Sequence, residues 1–242
     1  MAHTTNPLDQ PIGLPVDGWS PRARPGPEPM TGRFCRVEPL KVDGHLPQLW
    51  AALQHDAEGR NWTYSNDPPP TSRDDFAGRL AGMARSPDPL FHAIVDPATD
   101  AAVGWAAFMR IDPANGVIEI GTIHFTELLK RTPAGTEALY LMMRRAFDEL
   151  GYRRLEWKCD ALNQPSRAAA LRYGFTFEGI FRQALVYKGR NRDTAWYAIL
   201  DSEWPAIKAG FEVWLAPENF DGHDQQRASL AACRVSQTEA AP

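Results

Sequence analysis

Cysteine is scarce in this 242-residue sequence. Cys35, Cys159 and Cys233 are odd in number and far apart, which fits neither a disulfide framework nor a zinc-knuckle spacing, so a reducing cytoplasm is expected. The histidines form no HxxxH or HExxH pair, and no metal site is expected. No apolar run approaches the roughly 18 residues that span a bilayer. The N-terminus MAHTTNPLDQ also lacks a signal-peptide pattern, so no membrane partner is expected. Charge of one sign is missing too. The 26 basic residues against 30 acidic leave a formal −4, too near neutral for a nucleic-acid surface. The remainder, 43% hydrophobic, is ordinary globular composition, long enough for one large domain or two small ones.

Proline, by contrast, crowds the start. Pro7, Pro11, Pro15, Pro21, Pro25, Pro27 and Pro29 fall among few aliphatics, so 1–32 is expected as an extended arm laid on the domain, or disordered. Residues 216–242 are similarly polar and read as a tail. Between them 33–215 reads as one domain without internal repeats.

RFCRVEPL (33–40) opens it as a strand, and Leu46, Leu49, Trp50 and Leu53 recur at helical spacing over 42–56. NWTYSNDPPPTS is a loop broken by Pro68–Pro70, and Thr71 or Ser72 caps a helix running to about Arg85. Strands at 89–96 and 101–112 pair, and Asn115-Gly116 turns the chain into a third over 116–125. A long helix follows over about 134–150 with Leu139, Met142, Met143, Ala146, Phe147 and Leu150 as its apolar stripe. RRLEWKCDA (153–161) alternates as a strand, and NQPSRAAALRYGF (163–175) is a short helix with a marked start and stop. A hairpin (175–189 and 192–200) and a closing helix complete the order β-α-α-β-β-β-α-β-α-β-β. The 116–125 and 153–161 strands flank one helix, so they are expected to be parallel neighbours.

The crossover KRTPAGTEALYLMM (130–143) is the most informative stretch. A helix N-terminus with free N–H groups beside Lys130 and Arg131 suits a diphosphate. It also suits a merely capped helix behind two solvated cations.

EIG on a strand, the Thr-x-Ala-Gly-Thr-Glu-Ala helix start, N-x-P-S, Y-G-F and E-G together resemble the GNAT superfamily of acyl-CoA N-acyltransferases. KGRNRDTAWYAILDSEWP is similar to a subgroup of its RimJ/RimL-like, ribosomal-protein acetyltransferase branch. The resemblance spans about 33–205. It implies an α+β fold, a mixed and mostly antiparallel sheet with one parallel βαβ crossover and helices on both faces. It also implies acetyl-CoA as co-substrate, no metal, and an amine acceptor that is either a protein N-terminus or a small molecule. Fold-level analogy hints at a homodimer.

In such proteins a Gln/Arg-x-x-Gly-x-Gly/Ala loop binds the coenzyme A pyrophosphate. Here Lys130, Arg131, Thr132, Pro133, Ala134 and Gly135 match it, with Thr136 following. Pro133 replaces the first Gly and removes a backbone donor, which Arg131 is expected to offset with its side chain. Lys130 keeps the charge of the first position without the planar fork. The resemblance places the pantetheine arm against the backbone of Ile123, His124 and Phe125, with Asn163 holding it from the second strand and Arg167 counted among the coenzyme contacts. Asn163 also suits an N-cap.

An amine must be neutral to attack a thioester. At pH 7 that costs about 1.4 kcal/mol for an α-amino group of pKa near 8, and about 4.6 kcal/mol for a lysine near 10.4. Glu119, which interrupts the apolar run VIEIG, is the candidate base, unless it faces solvent. His124 is the alternative base, unless it is structural. Many relatives place a Tyr acid seven residues after the helix-opening Asn, where this sequence has Ala170. Ser166, then Tyr173, or water remain for the departing thiolate, although both side chains also have ordinary structural readings. Trp62, Tyr64, Trp105 and Trp196, together with Phe108 and Tyr197, are candidates for an acceptor pocket or for core. Arg190, Arg192 and Asp193 read as a tight polar turn. Besides the two acceptor classes, a fold that binds coenzyme A or a partner without catalysis stays open.

Overall fold

A computed structural model describes residues 3–222 and 225–239. Residues 1–2, 223–224 and 240–242, parts of the expected arm and tail, lie outside the described residues. In chain order the strands are β1 (Thr4–Thr5), β2 (Pro11–Ile12), β3 (Met30–Thr31), β4 (Arg36–Pro39), β5 (Leu90–Asp96), β6 (Ala101–Asp112), β7 (Val117–Phe125), β8 (Arg154–Asp160), β9 (Thr176–Tyr187) and β10 (Arg190–Leu200). The α-helices are α1 (Val42–Leu53), α2 (Arg73–Arg85), α3 (Pro133–Arg144), α4 (Gln164–Tyr173), α5 (Trp204–Leu215) and α6 (Leu230–Glu239).

The main sheet has eight strands in the order β3-β4-β5-β6-β7-β8-β10-β9. Every neighbouring pair is antiparallel except β7 and β8, the strands joined through α3. The expected α+β architecture is therefore the observed one. α3 and α5 bury Leu139, Met142, Met143, Phe211 and Trp214 against one face, in a cluster with Ile118, Ile120 and Leu155. α1 and α2 bury Leu49, Phe76 and Leu80 against the other, over Ala93 and Trp105. Each such side chain removed from water contributes about 1.5–3 kcal/mol. β6 is buried along most of its length because it is covered on both faces.

Two elements depart from their expected form. The 134–150 helix is α only to Arg144 and continues as a single π turn, Arg145–Glu149, whose Leu150 N–H bonds to the Arg145 carbonyl. The wider turn lets buried Arg145 pair with Glu149 at 3.0 Å and reach the carbonyl of Glu28. The polar turn expected at 190–193 is instead Lys188-Gly189, both at positive φ, which matches the twist of a hairpin. Arg190, Arg192 and Asp193 lie within β10, and Asp193 accepts the Gln183 N–H of a β9 bulge at 2.7 Å.

The proline-rich segment is laid on the body. The indole of Trp19 donates to the Ala114 carbonyl, and Tyr152 donates to that of Ala23, both at 3.0 Å. Met30 is buried and β3 completes one sheet edge. The polar C-terminal segment also returns to the body. Phe220, Leu230 and Cys233 are buried, and the Asn219 side chain bonds to both Trp214 and Ala228. Its few apolar residues are spaced to meet α5, a pattern too sparse to stand out in the sequence.

Candidate active site

Pairing between β7 and β8 covers only Val117 to Glu119 against Arg154 to Glu156. Both strands then continue, β7 to Phe125 and β8 to Asp160, without a mutual bond, so a gap opens between them. A bulge sends β7 away from β8. Thr122 takes φ +45°, and the register on β6 slips so that Gly121 pairs Ala107 while His124 pairs Trp105. Gly104 allows the close approach this needs, since a Cβ there would stand 2.7 Å from the His124 carbonyl oxygen. The edge of Ile123, His124 and Phe125 that faces the gap therefore has no strand partner.

The helices that follow the two strands both start at this gap. Thr132 caps α3, its hydroxyl accepting the Gly135 N–H at 3.2 Å. Gly135 lies so close to the strand end that a Cβ would meet the Leu129 carbonyl at 3.0 Å and the Phe125 ring at 3.1 Å. Pro133 has no N–H, so Ala134 keeps the first-turn N–H that neither proline nor cap removes. Lys130 does not face this helix end. Its ammonium sits on Glu127 at 2.7 Å and on Asn61. Arg131 is exposed at φ +60°. The Thr136 hydroxyl is occupied by Arg172 at 3.0 Å.

Asn163 caps α4 by accepting the Ser166 N–H at 3.1 Å. The Ser166 hydroxyl accepts from the Trp157 indole at 3.0 Å, which leaves its own O–H to donate. Cys159 lies beside it, a buried thiol whose pKa burial raises, so it is no thiolate nucleophile. Tyr173 is brought to neither Ser166 nor the α4 start. Its ring packs between Trp157 and Phe211, burial raises its pKa, and its hydroxyl neighbours Thr136. Arg167 bonds to the Tyr197 hydroxyl at 3.0 Å and to the Ala161 carbonyl at 3.2 Å, bracing α4 on β8 and β10.

The opposite face of the sheet carries Trp105, Glu119, His124, Glu156, Lys158 and Trp196, as the register requires. Glu119 is 3% exposed and stands at the vertex of the gap, so the solvent-facing alternative is excluded. Its Oε2 meets Lys158 Nζ and Arg110 Nε, each at 3.0 Å. Burial raises its pKa, and the two cations oppose that rise. Arg110 is aimed by Asp88, whose carboxylate accepts the N–H groups of Arg110 and Ile111 at a β6 irregularity. His124 stacks on Trp105 at 4.3 Å, and Trp62 meets it at a tilt at 4.5 Å. Tyr64 donates to the Leu162 carbonyl at 3.1 Å, and Lys188 to that of Trp62 at 2.6 Å. The loop between α1 and α2 thereby ties to the end of β8 and to the β9–β10 turn. Trp196 stands apart from the other aromatics, stacked on Phe181.

The acetyltransferase (GNAT) domain family matches residues 36–176, more than half of the chain. The chain belongs to the GNAT family of acetyltransferases. It is similar to a crystallised GCN5-related N-acetyltransferase from Brucella melitensis, at 50% identity over 91% of this chain and 100% of that one, TM-score 0.89. A probable acetyltransferase of the GNAT family from Chromobacterium violaceum is 36% identical over 83% and 100%, TM-score 0.73. An acetyltransferase from Salmonella typhimurium that modifies the N-terminal serine of ribosomal protein L7/L12 shares the fold at 21% identity, over 72% and 99%, TM-score 0.61. A comparison with curated proteins gives no match.

Within this GNAT chain Arg172 and Lys158, like Arg110, escaped the sequence reading. Arg172 carries a second cation to the first turn of α3, and Lys158 holds the underside of Glu119. Neither is near its partner in sequence, and only the α3–α4 packing and the β7–β8 register bring them together. Among the described residues no His, Cys, Asp or Glu cluster suits a metal ion, and no helix is long and apolar enough to cross a membrane.

Two buried histidines set a pH limit on the fold. His124 and His92 are both held neutral by burial, each with its pKa pushed down to about 4 from 6.5. The unfolded chain binds those protons first, so stability present above pH 6.5 is lost as pH falls towards 4. Denaturant titration at pH 7 and pH 4.5 is expected to differ by several kcal/mol, roughly 1.4 per pKa unit for each histidine. Equal midpoints and slopes at the two values would contradict the burial of both rings as neutral groups.

Proposed function

We propose that this GNAT protein transfers an acetyl group from acetyl-CoA to a primary amine by direct attack in a ternary complex. The observation that carries the reading is the buried Glu119 carboxylate at the vertex of the splayed strands. The unpaired edge at Ile123, His124 and Phe125, the Ala134 N–H and the cradle at Gly135 fit an extended arm ending in phosphates. Arg131 and Arg172 put cations around a helix end that is itself positive, an unfavourable grouping until an anion joins it.

Bound acetyl-CoA supplies the acyl thioester. The amine nitrogen attacks its carbonyl carbon and the C–S bond breaks. Glu119 takes the amine proton, directly or through one water, as the N–C bond makes that proton acidic. A β7 backbone N–H from the unpaired edge stabilises charge on the carbonyl oxygen. Ser166, its acceptor side occupied by Trp157, donates a hydrogen bond to the departing sulfur, and solvent restores any proton it gives up. Trp62, Trp105 and Trp196 bound the acceptor side. An α-amino group is the favoured acceptor, because a modest base suffices for its lower pKa. That choice agrees with the RimJ/RimL-like pattern of the sequence and with the N-terminal serine modified by the Salmonella protein.

Initial velocities with acetyl-CoA and a free-N-terminus peptide both varied should give intersecting lines; parallel lines would contradict direct transfer. Ser166→Ala keeps the helix start and is expected to lower kcat roughly tenfold to hundredfold. Acetyl-CoA Kd should stay within about twofold, and unchanged kcat would remove Ser166 from the chemistry. One observation favours a second reading, a coenzyme A-binding module without turnover. Lys130 is committed to Glu127, and Pro133 lacks a donor, so the start of α3 offers fewer phosphate contacts than its charge suggests.

A further inference from the structure

Lys158 has no part in the reaction as written, yet the fold buries it with care. Its side chain is 5% exposed, which is costly for an ammonium unless it is fully paired. Glu119 Oε2 lies 3.0 Å from Nζ and Glu156 Oε2 2.6 Å, and the Trp196 ring closes over it at 3.8 Å. Glu119 and Glu156 are directly opposite in the parallel register, so without a cation between them two carboxylates would share one buried patch. Glu156 is held from its other side by Arg154 at 2.8 Å, which in turn pairs with Glu178 at 2.5 Å. From β6 the charged group facing Glu119 is Arg110, whose side chain is 55% exposed and so screened by water. Among the described contacts Glu119 Oε1 meets no cation.

We infer that Lys158 is a positioning residue for Glu119, fixing Oε2 and holding the carboxylate ionised at the vertex so that Oε1 is free to receive the amine proton. The inference rests on the reading of Glu119 as the base. Arg110 alone is too exposed to do this, and Glu156 acts the other way. Burial pushes the Glu119 pKa up, and Lys158 is the largest opposing influence. An opposite charge at this range lowers a carboxylate pKa by about 1 to 3 units, so losing it raises the pKa by the same amount.

The test is a pH titration of isotope-labelled glutamate carboxyls by NMR, with Glu119→Gln used to assign the signal. Lys158→Met keeps the length of the stem and should move the Glu119 midpoint up by about 1 to 3 units, while Lys158→Arg should leave it near its original value. If Lys158→Met does not fold, Lys158→Met combined with Glu156→Gln removes the second buried charge. The midpoint should still rise there, because Glu156 influences Glu119 less than Lys158 does. A Glu119 midpoint unmoved in the folded single or double variant would overturn the inference. The acidic limb of kcat/KM against pH, followed with acetyl-CoA and a free-N-terminus peptide, separates the two ideas. A limb that follows the NMR midpoint upward supports both. A limb that persists in Glu119→Gln removes Glu119 as base, whereas loss of rate at every pH in Lys158→Met with an unmoved midpoint leaves Lys158 merely structural.

Discussion

Replacing Glu119 with glutamine is expected to lower kcat by roughly 10²–10⁴-fold, the usual contribution of a positioned general base. The substitution preserves shape at a site that is 3% exposed, so packing changes little. What it removes is the buried carboxylate at the last β7–β8 pair, where the gap begins. It also leaves Lys158 and Arg110 facing a neutral amide. Thermal denaturation must therefore be measured alongside, so that loss of fold is not read as loss of chemistry. In the intact protein, burial raises the Glu119 pKa, so activity should fall with acidity at a pH above the ordinary glutamate range. Glu119→Gln should abolish that fall. A kcat within about twofold of the parent, with the acidic limb intact, would mean that water alone removes the proton.

A loss of comparable weight, in stability rather than rate, is expected from Glu137→Gln. The Glu137 carboxylate on α3 accepts three backbone N–H groups where the chain enters β4, those of Arg33 at 2.8 Å, Phe34 at 2.6 Å and Cys35 at 2.9 Å. Both oxygens are used, so whichever way a glutamine side chain turns, its amide N–H₂ meets an N–H donor. Hydrogen bonds to a charged acceptor contribute about 1.5–3 kcal/mol each, and stranded buried donors add to the cost. A destabilisation of about 3 kcal/mol corresponds to a fall in Tm of roughly 6–12 °C for a chain of this size. Gly32→Ala should act in the same direction, because its Cβ would stand 2.3 Å from the Glu137 oxygen that the Phe34 and Cys35 N–H groups hold in place. Steady-state kcat measured well below the transition should change little. A Tm within about 2 °C of the parent would show that water satisfies those donors.

The fold was legible where local chemistry and long-range pairing agree. Asn115-Gly116 dictated one hairpin, the apolar stripe of α3 dictated the crossover helix, and the crossover made β7 and β8 parallel. The fate of the proline-rich segment was legible only as an alternative. Its attachment depends on single side chains, such as Trp19 on Ala114, rather than on a periodic pattern.

At the site, the sequence pattern pointed to β7, β8 and the starts of α3 and α4, which the fold brings to one gap, and it picked out Glu119 because a carboxylate inside an apolar run is conspicuous. It could not show the cations that surround that carboxylate, since Arg110 is aimed by the bulge that Asp88 holds. The surroundings of Lys130 were hidden for a related reason. Its charge is read from the sequence, but its direction is set by Glu127 and Asn61. Tyr173 was ambiguous because an aromatic before a Gly-Phe stop serves equally for packing. Its place between Trp157 and Phe211 brings it to the core.

The most direct test of the account is acceptor-dependent release of thiol from acetyl-CoA by the full chain, with mass spectrometry of the acceptor. Peptides with free N-termini, the same peptides blocked at the N-terminus, polyamines and aminoglycosides form the panel. The expected result is one thiol released per acetyl group found on a free α-amino group, with no release for the blocked peptides. Tight binding of coenzyme A without turnover of any amine in the panel would contradict it and leave a binding module.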